Sequence, residues 1–327
     1  MKAIIRERFG PPEVLQLRDV EKPVPADDQV VVRVQASSVN AADKYDMKGI
    51  TFLVRIVAAR SGGVFRPKNL GIGTDVAGTV ESTGSKVTRF KPGDEVYGVS
   101  PTAYAEFAPA DEARITLKPN SISFAEAAAV PIAGITALQG LRDIGKASPG
   151  QQVLINGASG GVGTFAVQIA KWLGAEVTAV CSSGHIETAR SLGADHLIDY
   201  AQEDFTRNGV RYDLIFDIAG NHSASDYKRA LKPQGQYVLV GASKNVFRTL
   251  VRLLVFGRLS IRGSRKIRFF VANIKQEDLA IMNGLLQTGT VKPVIERSYP
   301  LNNTAEALRY FSEGHAGGKI IITNAMS

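Results

Sequence analysis

Three glycines spaced three apart, Gly157, Gly160 and Gly163, are the residues of this 327-residue chain whose type and order speak most directly of chemistry. They stand in Gln151–Gly163 (QQVLINGASGGVG). Gln152–Asn156 before them reads as a buried strand, and Val162–Leu173 (VGTFAVQIAKWL) after them has apolar residues at helical spacing. A turn without side chains between a strand and a helix start lets the backbone approach a phosphate and aims free N–H groups at it. Glycine-rich turns also make ordinary tight connections, so the surroundings decide.

The surroundings alternate. Glu176–Cys181 (EVTAVC), His196–Asp199 (HLID), Asp213–Ile218 (DLIFDI) and Gln236–Gly241 (QYVLVG) read as strands, with helices predicted over His185–Leu192 and Ser223–Leu231. Such short units require crossover connections and a doubly wound parallel sheet, in which the turn becomes a dinucleotide site. NAD-preferring sites place a carboxylate at the end of the second strand, about 20 residues past the first glycine, to accept from the ribose hydroxyls. Here that stretch is Cys181, Ser182, Ser183, Gly184 and His185, without an acid. Hydroxyls and an imidazole donate to a 2′-phosphate that a carboxylate would repel, so the turn predicts NADPH over NADH. Ser182 and Ser183 also read as caps of the following helix, and the two roles are compatible.

The elements around this unit suggest a second domain. Before residue 120, Lys2–Arg6, Val14–Asp19, Val30–Ala36 (VVVRVQA), Asp75–Ser82 and Glu95–Val99 are strand candidates, separated by turn chemistry such as Gly10-Pro11-Pro12 and Lys91-Pro92-Gly93-Asp94. Asn40 opens a helical stretch, and Thr74 and Asp75 read as turn-shaping residues. An alanine-rich helical run, Pro119–Val130, leads into Ile132–Gly140. Beyond the sheet, Phe247–Leu259 reads as a helix, Ser260–Gly263 as a short strand, Glu277–Gln287 as an amphipathic helix, and Lys292–Glu296, Ala305–Ser312 and Lys319–Thr323 as strand, helix and strand.

Composition narrows the function classes. A single cysteine, Cys181, excludes an intrachain disulfide framework and leaves no cysteine pair for structural zinc. MKAIIRERFG lacks the apolar run of a signal peptide, and no stretch reaches the roughly 18 uncharged apolar residues that span a bilayer. The expectation is a cytoplasmic protein. Its net charge of +8 is concentrated: Ile50–Gly71 and Lys244–Lys275 carry basic residues and no acid, and the rest of the chain is net acidic. Such segments can attract an acidic substrate, anionic lipid or nucleic acid, or form a solvated basic face.

Five motifs carry a family resemblance: Asn40-x-x-Asp43-x-Tyr45-x-x-x-Gly49, Gly71-x-Gly73-Thr74-Asp75-x-Ala77-Gly78, Lys91-Pro92-Gly93-Asp94, Asn156–Gly163 and Gly317-Gly318-Lys319. In this order the chain resembles medium-chain dehydrogenases/reductases, specifically the zinc-independent quinone oxidoreductase branch with its zeta-crystallin-like and chloroplast-envelope-type members. The resemblance covers nearly the whole chain. It implies an α/β protein with a GroES-like β domain (1–120 and 265–327) interrupted by a Rossmann domain with a doubly wound parallel sheet (121–264), and a cleft where cofactor and substrate meet. Where zinc alcohol dehydrogenases carry Gly-His-Glu, this chain has Gly73-Thr74-Asp75. His185, His196, His222 and His315 show no ligand spacing, so no zinc is expected.

Without a Lewis acid, developing oxyanion charge must be met by hydrogen bonds. That suits acceptors that delocalise charge themselves, and the resemblance points to the same small lipophilic substrates: quinones and α,β-unsaturated carbonyls. Asn40 and Tyr45 match the family motif and are the catalytic candidates, the first as an amide for the nicotinamide ribose or substrate, the second as a phenol for an oxyanion. Asn40 also reads as a helix N-cap with Asp43 at N3, and Tyr45 as a packing residue. For the cofactor, Asn156, Gly157, Ala158, Ser159, Gly160, Gly161, Val162 and Gly163 are expected at the pyrophosphate. Cys181, Ser182, Ser183 and His185 are expected at the 2′-phosphate turn, His185 standing where NADPH-dependent relatives often have lysine. Tyr200 resembles their adenine-side tyrosine. Ala219 and Gly220, with Gly241, Ala242 and Ser243, end the fourth and fifth strands near the nicotinamide half.

The reading is therefore an NADPH-dependent, zinc-independent oxidoreductase, with a homodimer allowed. The alternative is a single-stranded nucleic-acid or anionic-membrane binding protein using segments 50–71 and 244–275. Against nucleic acid, Arg262–Phe270 (RGSRKIRFF) sets aromatics beside arginines but belongs to no RNA-binding module. Phe247–Leu259, alternating arginine with leucine, valine and phenylalanine, is compatible with peripheral membrane contact.

Overall fold

The computed structural model describes residues 1–49, 67, 69–240, 266–314 and 316–324. The chain divides into two compact units, Met1–Ile132 with Ile274–Ser327, and Ala133–Asn273.

The first unit begins with an antiparallel pair, β1 (Lys2–Ile5) and β2 (Gln16–Asp19). β3 (Gln29–Ser38) is its central strand. Val30, Val31, Val32 and Val34 are all buried, and β-branched side chains suit a pleated surface packed on both faces. α1 (Ala41–Lys48) follows at once, its start closed by the Asn40 N–H donating to Asp43 Oδ2 at 2.7 Å. Then come β4 (Asp75–Thr83), β5 (Glu95–Val99), β6 (Phe107–Asp111), β7 (Ile115–Leu117) and α2 (Phe124–Ala129). The β4–β5 turn is the predicted Lys91–Asp94, with Gly93 at φ +94°.

The chain passes into the second unit within α3 (Pro131–Gln139). There β8 (Gln152–Asn156), α4 (Gly161–Trp172), β9 (Glu176–Cys181), α5 (Ile186–Ser191), β10 (His196–Asp199), β11 (Tyr212–Asp217), α6 (Ala224–Ala230), β12 (Leu231–Val240) and β13 (Lys266–Phe270) follow in turn. Among the described residues these strands form a six-stranded sheet in the order β10-β9-β8-β11-β12-β13. Every pairing is parallel. The order reverses between β8 and β11, the topological switch at which such sheets bind nucleotides.

α7 (Gln276–Gln287), β14 (Ile295–Pro300), α8 (Thr304–Glu313) and β15 (Lys319–Thr323) return the chain to the first unit. Its larger sheet runs β14-β15-β3-β4-β5-β7, with β6 also on β3. β15 pairs with the Ala36–Ser38 end of β3 and β6 with the Gln29–Arg33 end, so one flank of β3 is shared between two strands.

Several boundaries differ from expectation, each for a physical reason. β6 and β7 were not expected from sequence, because Phe107–Asp111 contains Pro109 and β7 has three residues. The strand expected over Lys292–Glu296 lies at Ile295–Pro300. It pairs on one flank only, so most of its side chains face solvent and leave no apolar alternation to read. Pro12–Val14 forms a 3₁₀ turn, so β2 starts at Gln16. The units divide at 132/133 and 273/274 rather than 120/121 and 264/265, because α2 packs on β3, β4 and β15. The helix and strand read over Phe247–Leu259 and Ser260–Gly263 lie outside the described residues.

Candidate active site

The glycine turn sits at the carboxyl end of β8. Gly157 has φ +92°, a conformation that glycine adopts without strain. A Cβ on Gly163 would meet the Gly157 carbonyl oxygen at 2.1 Å, so α4 can approach the turn only because that position is bare. A Cβ on Gly160 would meet nothing closer than that same oxygen, at 3.6 Å, and faces open space. The Gly157 and Ala158 N–H groups are spent on Val180 O at 3.1 and 3.0 Å. The first N–H groups of α4, from Gly161 onward, have no partner within the helix by its geometry. Open space above bare backbone at a helix start fits a dinucleotide pyrophosphate.

Behind the turn stands Asp217, fully buried at the end of β11. It accepts from Asn156 Nδ2 at 2.8 Å, the Gly220 N–H at 2.8 Å and the Tyr237 hydroxyl at 2.5 Å. Asn156 also donates to Asn221 Oδ1 at 2.9 Å, and its backbone oxygen receives the Ile218 and Ala219 N–H groups. Asn156, Ala219 and Gly220 are thus tied together at the switch point. The Asn156 and Cys181 side chains are buried, and burial with the nearby Asp199 charge pushes the Cys181 thiol up to about 11.

The turn after β9 is free of acids in sequence but not in space. β10 runs beside β9 with Asp199 level with Cys181, and Ser183 Oγ donates to Asp199 Oδ2 at 2.5 Å. That hydroxyl, followed by backbone donation from Ala201, holds the Asp199 carboxyl below its usual range. Ser182 stands at the N-cap of a 3₁₀ turn over Ser183–His185 and its side chain makes no capping bond, which corrects the capping expectation there. Tyr200 follows with 60% of its surface exposed. Gly241, Ala242 and Ser243 lie outside the described residues, as do most of segments 50–71 and 244–275.

The first unit holds a second cluster, at the point where β15 meets β3. Asp75, the first residue of β4, is fully buried. Its Oδ2 accepts from Ser38 Oγ at 2.5 Å, Asn40 Nδ2 at 2.8 Å and Lys319 Nζ at 3.4 Å, and its Oδ1 from the Ile132 N–H at 3.0 Å. Lys319 Nζ also donates to Asn40 Oδ1 at 2.7 Å and Val39 O at 3.2 Å. Asp43, on α1, accepts at Oδ2 from the Asn40 N–H and from Tyr104 OH at 3.0 Å, and at Oδ1 from Thr74 Oγ1 at 2.8 Å. Burial raises the Asp43 carboxyl to about 6, with the Asp75 charge adding to the rise; burial likewise lowers Lys319 and raises Tyr104.

Thr74 and Asp75 are therefore not turn residues. Their partners lie far away in sequence, where local turn chemistry cannot reveal them. The Asn40 amide is engaged with Asp75, Ser38 and Lys319. Tyr45 lies half-buried two residues after Asp43, and positions two apart on a helix do not share a face. Burial raises its phenol. The roles of Ser38, Asp43, Thr74, Asp75, Tyr104 and Lys319 escaped the sequence reading, although four of these residues stand inside the family motifs.

Two family models match the chain. Residues 26–140 fit one described as an alcohol dehydrogenase GroES-like domain, and residues 192–322 one described as a zinc-binding dehydrogenase. With the glycine turn, that pairing defines a nucleotide-dependent dehydrogenase. A chloroplast envelope quinone oxidoreductase homolog of Arabidopsis thaliana is 34% identical over 319 residues, 93% of this chain and 92% of that protein. An NADPH-dependent alkenal/one oxidoreductase of the same plant, chloroplastic, is 31% identical over 98% of this chain and 79% of its own length. The solved quinone oxidoreductase from Coxiella burnetii superposes with a TM-score of 0.87 at 29% identity, covering 99% of each chain. The chain belongs to the medium-chain dehydrogenase/reductase family, in its quinone oxidoreductase branch.

The donor set does not fit the zinc that one family description names. Zinc sites draw mainly on cysteine and histidine, whereas here Thr74, Asp43 and Asp75 are engaged with one another and their neighbours. Among the described residues no group of three or more His, Cys, Asp or Glu could hold a metal ion, and no helix is long and apolar enough to cross a membrane.

Proposed function

We propose that this protein is an NADPH-dependent reductase that transfers hydride to a quinone or an α,β-unsaturated carbonyl without zinc. The observation that carries the reading is the set of hydrogen-bond donors and buried carboxylates around Asp43, Thr74 and Asp75. With the donors of this set spent on Asp43 and Asp75 and no cysteine or histidine among them, charge developing on the acceptor is left to a hydrogen bond such as that of the Tyr45 phenol, which suits acceptors that spread the charge themselves. The names of the Arabidopsis relatives support the same substrates.

Dihydronicotinamide, when bound, supplies the hydride. The residues of this chain do the rest. The turn from Gly157 to Gly163, with Ala158, Ser159, Gly161 and Val162, cradles the pyrophosphate, and Asn156 positions it from behind through Asp217. Ser182, Ser183 and His185 receive the 2′-phosphate, Tyr200 the adenine side, and Ala219 and Gly220 the nicotinamide half. Asn40 acts as a positioning residue, its amide fixed by Asp75 and Lys319. The Tyr45 phenol donates to the oxyanion. NADPH is preferred over NADH, and modestly, because the Ser183 hydroxyl is already donated to Asp199.

A panel of quinones, alkenals and enones with NADPH and NADH tests the reading. Oxidation of NADPH dependent on such an acceptor, surviving exhaustive chelation, is the expected result. No turnover with any of them, or stoichiometric zinc whose removal abolishes activity, would overturn it.

A further inference from the structure

Hydride addition leaves an anion, an enolate or a quinol monoanion, and the reaction closes only when that anion gains a proton. The reductase reading leaves the source of this proton unassigned, and the cluster around Asp43 holds the groups for it. Of its members, Ser38, Asn40, Asp43, Asp75, Tyr104 and Lys319 are all buried, whereas Thr74 is only half-buried. Thr74 is thus the one of these residues that is partly exposed, and its hydroxyl contacts Asp43.

The two carboxylates are not equivalent. Asp75 faces the Lys319 ammonium and takes three further donors. Among the described residues, Asp43 is hydrogen-bonded to no cation. Its Oδ2 is filled by the Asn40 N–H and Tyr104 OH, and its Oδ1 meets Thr74 Oγ1. A proton entering the pair therefore belongs on Asp43 Oδ1, against the hydroxyl of the partly exposed Thr74.

We propose that Thr74 and Asp43 form a proton relay: the Thr74 hydroxyl protonates the anion left by hydride transfer while Asp43 Oδ1 returns a proton to Thr74 Oγ1. The inference rests on the reductase reading. The hydride, from a dihydronicotinamide that is thereby oxidised, brings the electron pair of the new bond, and the displaced π pair settles on the acceptor oxygen. The Thr74 O–H bond breaks toward this anion, and the Asp43 O–H bond breaks toward Thr74. Asp43 is left as a carboxylate and regains a proton from water through the same hydroxyl after product leaves. Thr74 is the catalytic residue of this step, and Asp43 acts through it. Among the described residues, the charged and titratable groups facing Asp43 are Asp75 on β4, Lys319 on β15 and Tyr104 before β6. Burial foremost, with Asp75, holds the proton on Asp43 to about pH 6.

The test uses the protein and its Thr74→Val, Thr74→Ser and Asp43→Asn variants, the two Thr74 variants checked for an unchanged melting temperature and Asp43→Asn for a native circular dichroism spectrum. Infrared difference spectra of the cofactor-free protein across pH 4–8 are expected to show a protonated carboxyl band titrating near pH 6 that disappears in Asp43→Asn. Loss of a general acid costs about 10²-fold or more. Thr74→Val is therefore expected to lower turnover on an enone by about that factor, with NADPH affinity unchanged, and Thr74→Ser to restore it. The loss on a quinone is expected to be smaller, because a quinol anion is a far weaker base than an enolate and water can protonate it. In wild type, kcat/KM for the enone falls as pH rises through the Asp43 titration; Asp43→Asn loses that limb together with the solvent isotope effect. Equal losses on enone and quinone, an unchanged solvent isotope effect in Thr74→Val, or a carboxyl band that persists in Asp43→Asn would each overturn the relay. If wild type reduces neither substrate, the reductase reading fails, while the infrared titration still decides whether Asp43 holds the proton.

Discussion

Lys319 Nζ donates to Asn40 Oδ1 across 2.7 Å although 279 positions of sequence separate the two residues. The contact joins the last strand of the first unit to the start of α1, with both side chains buried, and the Lys319 charge is matched by Asp75 at 3.4 Å. Lys319→Met leaves a buried carboxylate without its cation, a change that typically costs about 3–5 kcal/mol. Chemical denaturation is expected to show a loss of that order, and a smaller one when Asp75→Asn is added. A loss under about 1 kcal/mol for the single variant would show that the pair does not hold these strands.

Gly160 and Gly163 separate nucleotide binding from folding. Gly163→Ala places a methyl 2.1 Å from a backbone oxygen, and overpacking costs about 1–3 kcal/mol, the upper end being expected where the obstacle is backbone. Gly160→Ala enters open space at φ −69°, so the melting temperature holds while the methyl occupies the approach to the phosphate. Nucleotide fluorescence titration checks this: NADPH affinity falls in both variants, stability only in Gly163→Ala.

The Asp199 carboxylate beside Ser183 would oppose a 2′-phosphate bound at this turn, as the proposed function places it. Asp199→Asn removes the charge and leaves an acceptor for the serine, so NADPH binding strengthens several-fold while NADH binding changes little. Ser182→Asp acts the other way, shifting preference toward NADH. Dissociation constants for both cofactors in both variants settle the point; equal responses of NADPH and NADH to Asp199→Asn would remove Asp199 from cofactor selection.

The raised Asp43 carboxyl has a signature in stability. The unfolded chain releases this proton near pH 3.9, the native protein only near 6, so the native state binds more protons between those values. The stability contributed by this group is therefore greatest below about pH 4 and is lost as pH rises to about 6, opposite to the usual salt-bridged aspartate. The stability difference between wild type and Asp43→Asn, measured from pH 4 to 7, falls across that window. A pH-independent difference would contradict it.

Tyr45→Phe distinguishes a phenol that donates to the oxyanion from a ring that packs. A single oxyanion donor is worth about 10²–10³ in rate, and less where the acceptor stabilises its own anion, so turnover is expected to drop roughly tenfold with stability unchanged. Wild-type turnover with both an enone and a quinone, where chemistry limits the rate, takes Tyr45 off the list of donors.

The nucleotide-binding unit was legible because its information is local. Gln152–Asn156, the glycine turn and the helix after it are contiguous, and right-handed crossovers leave few ways to assemble such units. The same locality explains the failures. Asp199 was invisible at the turn after β9 because it arrives on the neighbouring strand, brought there by the register that sets it beside Cys181. Thr74 and Asp75 looked like turn residues, and Asn40, a site candidate by the family motif, looked by propensity like a helix cap, because propensity weighs a residue against its neighbours in sequence. Their partners come from α1, β3, β4 and β15, up to 279 positions away. By itself the sequence determined the class of cofactor, through glycines that a phosphate needs bare. Only the tertiary structure decided which carboxylate faces a lysine and which does not, because strand pairing and the placement of α1 bring Asp43, Thr74, Asp75 and Lys319 into one largely buried cluster, where low polarisability makes each charge count.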